Sequence, residues 1–118
     1  MEYTQIVIIA AIVIFFLLKH MDQINPQKAR ELKDGGALVI DVRSGEEFAS
    51  GHIEDAINIP LDQIGEKIET QVPDKQQALL LYCLSGTRSG MARRVLLSKQ
   101  YQNVYNLGSI YRARSILK

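Results

Sequence analysis

Apolar positions fall in two regimes along the chain. Ile6 to Leu18 (IVIIAAIVIFFLL) is an unbroken apolar run of 13 residues. Beyond Lys19, short apolar runs alternate with amphipathic or polar stretches, the texture of a soluble domain. Asn25-Pro26 marks a helix start, with Asn as cap and Pro at the first helical position, and Gly35-Gly36 stops that helix after Lys33. Ala37 to Val42 (ALVIDV) reads as a strand buried on both faces. Ser44-x-x-Glu47 is a capping-box pattern opening a short helix that ends near Gly51. Ala56 to Ile59 is a second strand closed by Pro60, and Leu61, Ile64 and Ile68 share one face of a helix. Ala78 to Cys83 (ALLLYC) is the third strand; a helix is expected from about Ser89 to Gln100. Asn103 to Leu107 is the last strand, and a C-terminal helix starts near Ser109. Buried strands alternating with helices predict an α/β domain, a mostly parallel sheet covered on both faces.

The first apolar run predicts a membrane anchor over residues 3–20, ahead of a domain over 24–118. Thirteen helical residues span roughly 20 Å, short of the ~30 Å hydrocarbon core, and the flanking Tyr3, Thr4 and Gln5 with a snorkelling Lys19 extend the reach. The run is apolar all round, unlike the striped helix of a small domain. A cleaved signal would need a basic start and small residues before the cut, and neither Glu2 nor Leu17-Leu18-Lys19-His20 supplies them. All 14 Lys and Arg residues follow the run, so the positive-inside bias predicts a single-pass membrane protein whose domain faces the cytoplasm. A formal net charge of +1 argues against nucleic acid as a partner. With one cysteine and two histidines, neither a disulfide framework nor a metal site is expected.

The chemistry concentrates in Tyr82-Cys83-Leu84-Ser85-Gly86-Thr87-Arg88-Ser89. A cysteine closing a buried strand is often a small core residue. Here it also stands where sites form in open α/β sheets, beyond the carboxyl end of a strand. Leu84, Ser85, Gly86, Thr87 and Arg88 are able to curl into a nest of inward N–H groups, with Gly86 permitting the required dihedrals. The following helix aims its positive end at the same point, and Arg88 adds a cation. Such surroundings favour thiolate over thiol. Lowering a thiol pKa from ~8.5 to ~6.5 is worth about 2.7 kcal/mol and raises the thiolate fraction at neutral pH from roughly 3% to roughly 75%. No histidine is then required as a base.

The pattern Cys83-x-x-Gly86-x-Arg88-Ser89 resembles the active-site loop of rhodanese-like sulfurtransferases. Asp41-Val42-Arg43-Ser44 with Glu46-Glu47-Phe48, Gly51-His52-Ile53 with Ala56 to Pro60, and Asn106-Leu107-Gly108 resemble further family segments in the same order. The resemblance covers about residues 24–118. It implies a rhodanese-like fold and a reaction without cofactor or metal. Cys83 takes sulfur from a small anionic donor such as thiosulfate and passes it, through a persulfide, to cyanide, a thiol or an acceptor protein. It makes Leu84 to Ser89 the anion-binding loop and Asp41, Arg43 and His52 supporting residues. Glu54-Asp55 and a basic C-terminal helix lacking tryptophan depart from the common pattern and bear on which donor and acceptor are used. Cysteine phosphatases and arsenate reductases use related loops, but phosphatases of that type place five residues between cysteine and arginine, against four here. A sulfur relay serving a membrane partner, or a binding module with little thiosulfate activity, is the other alternative.

Overall fold

The computed structural model describes residues 2–118. The side chain of Lys19, on which the snorkelling argument rested, lies outside the described set, as do those of His20 and Met21. The elements in chain order are α1 (Glu2–Met21), α2 (Pro26–Asp34), β1 (Leu38–Asp41), α3 (Gly45–Ala49), β2 (Ile57–Asn58), α4 (Leu61–Gln71), β3 (Leu79–Cys83), α5 (Thr87–Ser98), β4 (Val104–Ser109) and α6 (Ile110–Leu117).

The strands pair in the order β2-β1-β3-β4, and every pairing is parallel. The near-continuous apolar runs are explained by what covers them. Ile40, Leu79, Leu81 and Cys83 face a core closed by Ile64 and Ile68 of α4 and by Ala92 and Leu96 of α5. Val39, Leu80 and Tyr82 face the opposite core, closed by Ala29 of α2 and by Ala113 and Ile116 of α6. Alternate side chains therefore enter different cores, and neither face of the central strands needs polar residues. From β1 the chain steps outward to β2; from β3 it steps the other way, to β4. The carboxyl ends of β1 and β3 thus flank a topological switch point, the place where open α/β sheets form crevices.

The local signals act as anticipated. The Asn25 side chain accepts from the Gln27 and Lys28 N–H groups, and Ser44 and Glu47 form a reciprocal capping box. The helix after Cys83 begins at Thr87 rather than Ser89, because Gly86, at φ +94°, turns the chain into it directly.

The N-terminal expectation is met only in part. The run does form a helix, but among the described residues no helix is long and apolar enough to cross a membrane, so a transmembrane anchor is not supported. The unbroken apolar run makes up 13 of the 20 residues of α1, about 20 Å of rise. Residues 2–18 are exposed throughout, so the domain does not bury this helix either.

Candidate active site

The site is built at the end of β3, where Cys83 is fully buried. Its Sγ accepts from the Gly86 N–H at 2.9 Å, and the Ser89 hydroxyl stands 3.5 Å away. Burial pushes the Cys83 thiol up, but the Ser89 hydroxyl and the N–H groups of Ser89, Ser85 and Gly86 outweigh it and hold the thiol below its ordinary value. The loop's own donors converge on the sulfur at the head of α5. An added Cβ on Gly86 would lie 3.0 Å from Gln23 Nε2 and 3.2 Å from the Gly108 Cα, so this residue is required for both its dihedral and its size.

Arg88 is placed differently from expectation. Its Nη1 and Nη2 donate to the two Glu47 carboxylate oxygens at 2.7 and 3.1 Å, bridging the end of the loop to α3. The side chains are 36% and 31% exposed, so the pair sits at the rim. The Arg88 guanidinium, with the Ser44 donors adding to its effect, holds the Glu47 carboxyl down at about 2 against partial burial. The Glu47 hydrogen bonds are the main reason the Arg88 guanidinium is raised above its ordinary value, and the Cys83 charge adds to them. Arg88 is therefore a partly neutralised cation at the end of the cysteine loop. The sequence signal for its partner was Glu47 itself, whose role as a helix cap concealed a second use.

Asp41 and Arg43 form a buried pair that reaches the Gly51 segment. Arg43 Nε and Nη2 donate to the Asp41 carboxylate at 2.7–3.0 Å, and Nη2 also donates to the Gly51 carbonyl at 2.7 Å. Both residues are buried, and Asp41 additionally accepts from the Arg43 N–H. Nearby, the Tyr82 hydroxyl accepts from the Ile53 N–H at 3.0 Å, tying the glycine-histidine-isoleucine segment to β3. Burial pushes the Tyr82 phenol up to about 12, so it stays a neutral group there. His52 stacks on Phe48 with ring centroids 3.6 Å apart, and its Nδ1 lies 2.8 Å from the Phe48 carbonyl. Its contacts are with α3 rather than with the cysteine loop, so His52 is a local structural group.

Leu84 is exposed at the mouth of the loop, and Thr87 accepts a long hydrogen bond from Ser85. An open depression of about 430 Å³ beside Arg88 is lined by Val42, Ser44, Pro60, Leu61 and Asp62. It has the size of a small-ligand site and a mainly apolar floor with a cation at its edge. The arrangement gathers loop donors on a buried sulfur, with the Arg88–Glu47 pair at the rim. Sequence reasoning had Asn106 only as part of a family segment and assigned it no role at the site; it is buried and bonds to Ser89, to the Gly86 carbonyl and to the Gly108 N–H. A polar residue inside an otherwise apolar strand was the available signal.

The chain resembles known proteins over this whole region. Residues 25–112 match the Rhodanese-like domain family. Thiosulfate sulfurtransferase PspE of Escherichia coli is 42% identical over 71 residues, covering 60% of this chain and 68% of that protein. The tRNA uridine(34) hydroxylase of Hamiltonella defensa is 35% identical over 80 residues, covering 64% of this chain but only 22% of the hydroxylase. Among solved structures, a rhodanese with anions from E. coli superposes with a TM-score of 0.63 at 39% identity, covering 65% of this chain and 91% of its own. A human single-domain sulfurtransferase, TSTD1, gives 0.67 at 26% identity, covering 80% and 95%. The chain belongs to the rhodanese-like family.

Proposed function

We propose that the protein is a sulfurtransferase in which Cys83 carries sulfur as a persulfide, with thiosulfate or a similar anion as donor. The observation that carries the reading is the convergence of the Gly86 N–H and Ser89 hydroxyl on the Cys83 sulfur, which favours a thiolate without any base. The Cys83 thiolate attacks the outer sulfur of the donor; the S–S bond breaks, and its electron pair leaves with sulfite. A thiophilic acceptor (cyanide, a thiol or an acceptor protein) then attacks the outer persulfide sulfur, and Cys83 departs as thiolate. This is covalent catalysis in two steps, with no external oxidant or reductant. The loop donors steady the negative charge at each stage, and Arg88 attracts the anion. The likeness to PspE supports thiosulfate as donor.

Steady-state formation of thiocyanate from thiosulfate and cyanide tests this. Parallel lines in double-reciprocal plots, abolished in Cys83→Ser, are expected. A rate that survives Cys83→Ser, or hydrolysis of an aryl phosphate in its place, contradicts the reading.

A second reading is a relay or binding module with little thiosulfate activity. It is favoured by the hydroxylase relative, in which the matching region is about a fifth of a longer chain. Persulfide formation from a protein donor but not from thiosulfate would select it.

The location belongs to the same proposal. The exposed apolar residues of α1 support holding the domain at a membrane, and the basic residues that follow the run, Lys28, Arg30 and Lys33 among them, support a cytoplasmic site. Recovery of the full chain in the soluble fraction would refute the first point. Labelling of Cys83 in intact cells by an impermeant thiol reagent would refute the second.

A further inference from the structure

Asn106 lies on β4 opposite Leu81, immediately before the register between β3 and β4 slips, so that Tyr82 faces Gly108 and Cys83 faces Ser109. Bulges of this kind re-aim a side chain beside a site. Here Gly108, at φ +91°, bends its N–H back onto Asn106 Oδ1 at 2.8 Å. The Asn106 amide makes four bonds in all. Oδ1 also accepts from the Ser89 hydroxyl at 2.7 Å, while Nδ2 donates to the Gly86 carbonyl at 3.1 Å and to Asp22 Oδ2 at 3.0 Å. Two of these partners, Gly86 and Ser89, also reach the Cys83 sulfur.

We infer that Asn106, braced by Asp22, is a positioning residue for the reactive sulfur, holding the Gly86 and Ser89 donors in place through changes in the charge of Cys83. A serine hydroxyl has one proton to give. With a neutral thiol it goes to Asn106, the nearer acceptor. With a thiolate it turns to sulfur, and Asn106 Oδ1 remains satisfied by the Gly108 N–H. The hydroxyl therefore has a place in both states, and no buried acceptor is left without a donor in either.

Asp22 sets the brace. It follows α1, is partly buried, and also pairs with Arg93 at 3.5 Å. Room for its carboxylate exists because residue 90 is glycine: a Cβ there would stand 2.8 Å from Asp22 Oδ2. The adjoining backbone grips the same residue, since the Ile24 N–H donates to the Asn106 carbonyl at 2.8 Å and Gln23 bridges to Asn106. The segment joining α1 to the domain is thereby fastened to the residue that orders the cysteine loop. Other charged groups around the site are Arg88 on α5, Glu47 on α3, Asp41 at the end of β1 with Arg43 after it, and Arg112 on α6, which donates to the Leu107 and Ile24 carbonyls.

The inference rests on Cys83 being the working nucleophile, and it is tested by the rate of Cys83 alkylation by iodoacetamide against pH, on the full chain in detergent. Ser89→Ala is expected to lower the thiolate fraction at neutral pH roughly tenfold, the effect of losing a hydrogen bond to a charged group. Asn106→Ala should lower it at least as much. Asp22→Ala should lower it about threefold, and Asp22→Asn, which keeps an acceptor for Nδ2, should restore it. Removing a nearby negative charge would by itself act the other way and raise the thiolate fraction. A thiolate fraction in Asp22→Ala at or above that of the unaltered protein therefore overturns the brace. An Asn106→Ala protein that melts earlier but alkylates with an unchanged pH profile overturns the positioning role. If Asn106→Ala does not fold, the two Asp22 variants decide. Failure of the sulfur-transfer reading would appear separately, as an unaltered protein that accepts no sulfur although its alkylation profile responds to these substitutions.

Discussion

Substituting Glu47 with Gln separates the charge of this residue from its other duty. Gln preserves the capping box, because its amide oxygen still accepts from the Ser44 N–H that Glu47 Oε1 now receives at 3.1 Å. What is lost is the carboxylate that neutralises Arg88. A carboxyl held at about 2, against 4.5 ordinarily, would amount to roughly 3 kcal/mol if unscreened. The two side chains are about a third exposed, and solvent screening reduces the figure to about 1 kcal/mol. Glu47→Gln should therefore cost about 1 kcal/mol of stability. It should also release a comparable attraction for an anionic donor, lowering KM for thiosulfate about fivefold with kcat changed less than about twofold. Initial-rate kinetics with thiosulfate and cyanide read this directly, and the gain should shrink as salt is added. A folded Glu47→Gln protein with an unchanged or higher KM would refute the idea that Glu47 restrains Arg88.

Three further outcomes are expected. Asp41→Asn leaves the buried Arg43 guanidinium without its charge partner and should cost about 3–5 kcal/mol in urea denaturation. Gly86→Ala forces a side chain to φ +94° and into contact with Gln23 and Gly108, so a loss of about 3 kcal/mol is expected from thermal unfolding, together with loss of sulfur transfer. The Cys83 thiol has a lower pKa in the folded protein than its ordinary 9.0, so the thiolate adds stability that is fully present above 9.0 and lost as pH falls through the folded value. Unfolding free energy should thus rise with pH across that window, and Cys83→Ser should remove this contribution.

How much was legible beforehand follows from the range of each interaction. Helix caps at Asn25 and Ser44 are set by neighbours a few residues away, so their residue types announced them. The apolar runs of β1 and β3 announced burial on both faces, because a strand between two helical layers has no polar side. The Cys83 loop was equally local: its donors come from within six residues of the sulfur. The partners of Arg88 and Asn106 were not readable in this way. Glu47 lies 41 positions from Arg88, and Asp22 lies 84 from Asn106, so those pairings exist only once the sheet order is known. For His52, proximity in sequence to a family motif suggested the site, whereas stacking on Phe48 turned the ring toward α3. The apolar run of α1 was legible as a helix, but among the described residues no helix is long and apolar enough to cross a membrane.

The central claim, that Cys83 carries sulfur, is tested most directly by the intact mass of the protein after incubation with thiosulfate and removal of excess donor. The account predicts a gain of one sulfur atom, localised to the peptide containing Cys83, lost on adding cyanide and absent in Cys83→Ser. A folded protein whose Cys83 alkylates readily yet gains no sulfur from thiosulfate, or from any protein persulfide donor, would contradict it.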